Sequence, residues 1–381
     1  MTMTRRRRRR LARTVLTAAA LLALATAFLT RGSNALVERI VHRQPAAQPA
    51  FANHLLVEGI HGFSAAEVHL IGHAVAQSPL TVAVGELYVQ HGRPPFDALP
   101  LATIGADPSA YADAAGVRRL RAALSDGVVV STSAAALLDL RLGQELRVVH
   151  GRPLRVTAVL ADDLLSGYQL LVRPTAEPTL APRADYVVVR GSSSQDSTLE
   201  STIRTALPSR RLRFTRAGEF RYFSPSGDVL SQSQVSARFG AFAVEQDRTG
   251  VVPDPAWVRS SIVDVSVPLL GHVSCHREIV AALVAAMTEL QREGLGAAVD
   301  RQDFQREGGC WNPRAARSDH GVLSHHAWGI AIDINVARNP LGARPDQDPR
   351  LVAAMEQHGF TWGGRWLRHD GAHFEWLGNS R

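Results

Sequence analysis

The stretch Ser324-His325-His326-Ala327-Trp328-Gly329-Ile330-Ala331-Ile332-Asp333-Ile334-Asn335 decides how the C-terminal part of this chain is read. From Ile330 onward it alternates, so Ile330, Ile332 and Ile334 share one face of a strand while Ala331 and Asp333 share the other. A carboxylate opposite an isoleucine stripe faces either solvent or a site, and the small Ala331 beside it leaves room. Gly329 permits a backbone turn that brings His326 back over the same face. Further on stands Asp370-Gly-Ala-His373-Phe-Glu375-Trp376. As a strand from His373, it turns Phe374 and Trp376 to the core and presents His373 and Glu375 together on the other side. Two histidines and one aspartate make the three protein ligands that a catalytic zinc takes, with water in the fourth position. Such a water needs a base nearby, and Asp370 is placed to be one. Read singly, each piece also fits a blander account, a hydrogen-bonded core histidine or a surface aspartate.

Ser324-x-His326-x-x-Gly329-x-Ala331-x-Asp333 followed by Asp370-x-x-His373 resembles the paired signature of the zinc D-Ala-D-Ala metallopeptidases, the VanY-like, VanX-like and L-alanyl-D-glutamate endolysin types. The similarity extends to Phe242-Ala-Val-Glu245, Val265-Ser-Val-Pro-Leu-Leu-Gly271, Cys275-His-Arg-Glu278, Gly308-Gly-Cys-Trp-Asn-Pro-Arg314 and Gly359-Phe-Thr-Trp-Gly-Gly-Arg-Trp366. The resemblance implies a Hedgehog/D,D-peptidase-like α+β domain with a central antiparallel sheet. It implies Zn2+ held by His326, Asp333 and His373, with Asp370 as general base, where the VanX-like branch has glutamate. Arg314 matches an arginine that contacts substrate oxygens or the developing oxyanion, a role suited to a guanidinium fork. Ser324 matches the first motif position and is expected to orient the site rather than attack.

Other residues rank lower. His325, next to His326 on an extended segment, is expected to point the opposite way. His369 is a candidate substrate contact and Glu375 a hydrogen-bond partner for a ligand histidine. His272, Cys275 and His276 are read as the start of a helix whose stripe is Ile279, Leu283, Met287 and Leu290, ending at Gly294, rather than as metal ligands. No His-Glu-x-x-His and no Gly-rich phosphate loop occurs, which sets aside helix-type zinc proteases and nucleotide hydrolases.

Outward from this cluster the composition changes. All six Trp and both Cys lie beyond residue 250, whereas the first half is rich in Ala, Val and Leu. Val128 to Ser131 and Tyr186 to Val189 read as strands, Leu146 to Val149 and Leu154 to Val159 as a hairpin, and Ala134 to Leu140 as a short helix. His69 and His73, four apart, read as surface histidines. Gly127-Val-Val-Val-Ser-Thr-Ser-Ala-Ala-Ala-Leu-Leu-Asp-Leu-Arg-Leu-Gly-Gln-Glu-Leu-Arg-Val-Val149 resembles the extracytoplasmic core domain of MacB-type ABC permeases. The four membrane helices of such permeases do not accompany it, so the resemblance implies a mixed α/β fold and not transport.

The 381 residues carry a formal charge of +7 with 42 Lys+Arg, all of them Arg. Seven of those arginines, Arg5 to Arg10 and Arg13, precede or enter an apolar stretch within residues 1–30, which holds no acid. The remaining chain is therefore neutral, 35 Arg against 35 Asp+Glu, a poor polyanion binder, and nucleic acid is set aside. Leu11 to Thr30 has the length of a membrane-spanning helix with its basic flank cytoplasmic. A leader cleaved after Ala25 or Ala27 is the alternative. Either one exports the rest. In that setting Cys275 and Cys310 can bridge; two buried thiols is the alternative, and the spacing does not choose.

The expected plan is an anchor or leader over 1–30, a spacer over 31–52, a mixed α/β extracytoplasmic domain over 53–215, a linker over 216–234 and a zinc peptidase domain over 235–381. The expected function is an exported, membrane-attached zinc peptidase acting on peptidoglycan peptides, either as a D-alanyl-D-alanine carboxypeptidase or as an L-alanyl-D-glutamate endopeptidase. Residues 53–215 are a candidate surface for a membrane protein partner. The rival reading is an inactive zinc-binding or wall-binding module.

Overall fold

The computed structural model describes residues 50–117, 127–176, 180, 184–219, 223, 229–247, 250–316 and 322–378. The anchor or leader expected over 1–30 lies outside these residues, as does nearly all of the spacer. Among the described residues no helix is long and apolar enough to cross a membrane.

Eleven strands form one sheet: β1 (His54–Phe63), β2 (Leu80–Arg93), β3 (Phe96–Gly105), β4 (Val128–Ser131), β5 (Glu145–Leu146), β6 (Leu154–Leu160), β7 (Leu170–Val172), β8 (Ala184–Arg190), β9 (Leu212–Thr215), β10 (Val244–Asp247) and β11 (Gly250–Pro253). The strand order is β5-β6-β4-β7-β3-β2-β8-β1-β9, with β10 paired to both β3 and β11. Its central strands are apolar on both faces because both faces are covered. Along β2, Val82 and Val84 enter one core with Ala102, Ile104, Tyr111 and Tyr186. Ala83, Leu87 and Val89 enter another with Leu99, Leu101 and Val130.

The expected hairpin is present in shortened form, with Leu146 paired to Leu154 and Glu145 to Arg155. The short helix runs over Thr132–Leu137, two residues earlier than its pattern suggests, because the Ser131 side chain caps it by accepting from the Ala134 N–H.

The C-terminal part adds a hairpin, β12 (Ile262–Val267) with β13 (Gly271–His276), and a small antiparallel sheet. That sheet consists of β14 (Ala331–Asp333), β15 (Phe360–Trp362) and β16 (His373–Trp376), in the order β14-β16-β15. The helices Val280–Arg292 and Pro349–Gln357 pack behind it, burying Leu283, Met287, Leu290, Leu351 and Met355 against Ile330, Ile332, Ile334, Phe374 and Trp376. The helix begins at Val280, so Cys275 and His276 stand at the end of β13 and not in a first helical turn. His276 is buried edge-on against Phe239, and burial lowers its basicity.

Residues 49–381 form one compact unit. Helix Gln232–Phe239 and β10 belong by sequence to the C-terminal part, yet Val244 of β10 pairs with Ala98 of β3 and both enter the C-terminal core.

Cys275 and Cys310 are bridged, with Cα atoms 5.3 Å apart. The bridge leads straight into the site: Cys310 precedes Trp311, whose N–H donates to Ser274 O, and its sulfur lies 3.2 Å from Gly329 O. Gly329 has φ +68°, and a Cβ there would sit 2.8 Å from the His276 amide nitrogen.

Gly329→Ala is expected to lower stability by at least about 2 kcal/mol, from left-handed backbone strain plus that clash; urea unfolding of the full chain checks it. Opening the bridge with Cys275→Ser and Cys310→Ser together is expected to cost about 4 kcal/mol, the closure entropy of a loop of this length. A melting temperature that reductant does not lower would contradict that figure.

Candidate metal centre

The site begins with one register. In the β14–β16 ladder Asp333 stands directly opposite His373, and Ala331 opposite Glu375. Both side chains of the first pair therefore project to the same face, away from the core that takes Ile332 and Phe374. His326 reaches this face by another route. Ser324 caps a single 3-10 turn over His325–Ala327, its hydroxyl accepting from the His326 N–H at 3.4 Å, and Gly329 then reverses the chain into β14.

Three lone-pair atoms converge. His326 Nε2 and His373 Nδ1 are 3.2 Å apart, and Asp333 Oδ1 lies 3.2 Å from the first and 3.0 Å from the second. The opposite ring nitrogens settle the tautomers. His326 Nδ1 is 2.7 Å from the Cys310 carbonyl oxygen and His373 Nε2 is 3.0 Å from Glu375 Oε1. A carbonyl or carboxylate oxygen only accepts, so each of these nitrogens carries a hydrogen and the inner nitrogens are the ones that can ligate when a metal takes the place of a proton. Metal-binding histidines are held in this way. His326, Asp333 and His373 thus form a buried group that can hold a metal ion.

The electrostatics agree. Burial opposes charge on Asp333, but the two histidines outweigh it and hold the carboxyl well below the usual carboxylate range. Burial pulls His373 down, yet hydrogen bonds and charge from Asp333 and Glu375 push it up to about 10. Glu375 is depressed despite its burial, because His325 and His373 flank it. The cluster is built to take up positive charge.

The other expected residues gather round one cavity of ≈ 200 Å³. Asp333, His373, Asp370, Arg314, Ser324, His325 and Glu375 all line it. Burial raises the Asp370 carboxyl, and neighbouring Asp333 adds to this while His373 opposes it. Gly363 lets Asp370 approach, since a Cβ there would meet the Cβ atoms of both Asp370 and His373 at 3.3 Å. Arg314 donates from Nη1 to Ser324 Oγ at 3.2 Å and places Nη2 3.6 Å from Asp333 Oδ2. Trp366 tilts against the His373 ring at 5.1 Å and closes one side.

Two expectations are corrected here. His325 does not point away. The 3-10 turn, unlike an extended segment, swings it round so that its Nδ1 donates to Glu375 Oε2 at 2.8 Å, and Glu375 bridges it to His373. His369 does not line the cavity. It meets Arg211, whose Nη2 is 3.2 Å from His369 Nε2 and also donates to Leu367 O. The wall facing the histidines was missed. Val84, Tyr168, Val229, Leu230 and Gln232 supply it, and the first two belong to the part of the chain expected as the mixed α/β domain.

Residues 317–376 match a family model described as D-alanyl-D-alanine carboxypeptidase. His326, Asp333, Asp370 and His373 lie inside that span and Arg314 just before it. No curated protein matches the chain. Solved structures similar to it include two transporter domains. The periplasmic region of MacB from Actinobacillus actinomycetemcomitans is 14% identical, covers 44% of this chain and 91% of its own, and has a TM-score of 0.33. The extracellular domain of the noncanonic ABC-type transporter YknZ from Gram-positive bacteria is 13% identical, covers 43% and 100%, and has the same TM-score of 0.33. The two likenesses carried by the sequence, to D-Ala-D-Ala peptidases and to MacB-type domains, are also named by these comparisons.

Proposed function

We propose that this chain is an exported zinc peptidase that hydrolyses peptidoglycan stem peptides, either as a D-alanyl-D-alanine carboxypeptidase or as an L-alanyl-D-glutamate endopeptidase. The carrying observation is the convergence of His326 Nε2, Asp333 Oδ1 and His373 Nδ1 beside Asp370 and Arg314, within or next to the peptidase-like span. The donor set, two imidazoles and one carboxylate, suits zinc. Zinc bound there supplies Lewis acidity toward the scissile carbonyl and toward water.

The protein's own groups do the remaining work. A carboxyl raised toward neutrality suits proton transfer in both directions. Asp370 takes the proton of the attacking water as the new C–O bond forms, and gives it to the amine as the C–N bond breaks. Arg314, oriented by Ser324, donates to a substrate oxygen. Glu375 keeps His373 in its ligating tautomer while His325 balances its charge. Export is supported by the bridged Cys275–Cys310 pair, which belongs to an oxidising compartment, and by the Arg-rich apolar N-terminal pattern.

His326→Ala in the full chain is expected to abolish stoichiometric zinc, measured by elemental analysis after dialysis; full zinc content in this variant would remove His326 from the ligand set. Asp370→Asn is expected to retain zinc and lose about 10²–10⁴-fold in turnover. Mass spectrometry of peptidoglycan fragments checks it, a loss of one alanine marking carboxypeptidase action and a cut stem marking endopeptidase action. Zinc-loaded protein that cleaves neither points to a binding module instead.

A further inference from the structure

The run Leu80-Thr-Val-Ala-Val-Gly-Glu-Leu-Tyr-Val89 in β2 contains one acid, Glu86, and the fold buries it. On β2 it shares a face with Val84, which lines the cavity. Burying a carboxyl without a cation is costly, and among the described residues Glu86 forms no ion pair. Its partners are neutral. Oε1 accepts the Leu323 N–H at 2.8 Å and lies 3.4 Å from Gln232 Nε2, while the Tyr88 hydroxyl approaches Oε2 at 3.5 Å. Leu323 is 237 residues away in sequence and is itself buried.

What Glu86 holds is the approach to the metal centre. Leu323 bridges to Ala315, and the next residue, Ser324, donates its N–H to Arg314 O at 3.0 Å. The Ser324 hydroxyl receives the Arg314 guanidinium and caps the turn that carries His326. The Glu86 hydrogen bond therefore anchors one end of the segment Leu323 to His326, on which both Arg314 and His326 depend. An apolar side chain here would leave the buried Leu323 N–H without an acceptor, so position 86 needs an acceptor oxygen aimed at that segment.

We infer that Glu86, a residue of the large sheet outside the peptidase-like span, is a positioning residue of the metal centre, setting Ser324, Arg314 and His326 through the Leu323 N–H. This rests on the metal-site reading given above. Burial pushes the Glu86 carboxyl up to about 8, so near neutrality it is largely the uncharged acid, and its carbonyl oxygen still accepts. Glutamine reproduces that state in both shape and charge.

The test compares full-length wild type, E86Q and E86M. Zinc affinity is read by chelator competition, ligand geometry by the visible spectrum of the cobalt-substituted protein, and stability by thermal melting. E86Q is expected to match wild type. E86M, of similar length but without an acceptor, is expected to bind zinc about 10–100-fold more weakly with an altered cobalt spectrum. If E86M does not fold, E86D decides, because it keeps the acid but withdraws the acceptor by one methylene; the same weakening is expected. Wild-type affinity and spectrum in the acceptor-less or shortened variant overturn the inference, and so does an E86Q protein as impaired as E86M. Wild type that binds no metal instead overturns the metal-site reading itself, and these readouts decide between the two without peptidase activity.

Discussion

The arrangement rests on one antiparallel register, Asp333 opposite His373. The period of a strand is two, so a slip of one residue would send Phe374 to the cavity and His373 into the core. The register is held from both ends. The Trp376 N–H donates to Ile330 O, and Asp333 exchanges hydrogen bonds with Gly309. Behind it, Ile330, Ile332 and Phe374 are fully buried, and burial of that size makes the alternative register costly. Everything polar in the site stands in front of this apolar backing.

The polar side is a problem in charge balance as much as in geometry. Asp333 and Glu375 are two carboxylates set among three imidazoles in a largely buried space. Each carboxylate joins two histidines: Asp333 joins the two inner ring nitrogens, and Glu375 joins His373 to His325. Without a cation, the inner nitrogens and Asp333 must share protons to avoid lone-pair repulsion. Asp370 stands apart from this balance, its carboxyl raised rather than lowered. Two carboxylates of one cavity are thus pushed in opposite directions, Asp333 lowered and Asp370 raised.

The part of the site legible from sequence is the part written in strand periodicity. Alternation placed Asp333 and His373 on a polar face, and the i, i+2 relation brought Glu375 with them. His325 was misread because the sequence of a 3-10 turn differs little from that of an extended segment until its cap, Ser324, is known to be one. The helix at Val280 was started too early for a similar reason, since no side chain caps it and only its buried stripe is visible. The pairing of β10 with β3 is not legible in the sequence, because one strand's pairing partner is a long-range choice that composition does not encode. Glu86 lay in plain view as the lone acid in an apolar strand, but its partner is set only by the fold.

The cavity wall has a consequence for how such a protein can change. One side carries the chemistry and lies in the last third of the chain; the facing side includes Val84 of β2 and Tyr168, just before β7. The same sheet contributes Ala98 to the C-terminal core. The segment recognisable by family likeness and the segment able to fold are therefore not the same object. A fusion or recombination cut at residue 235 or 317 would transfer every ligand yet leave behind part of the enclosure, so the site's ligands and its walls are not inherited as one segment.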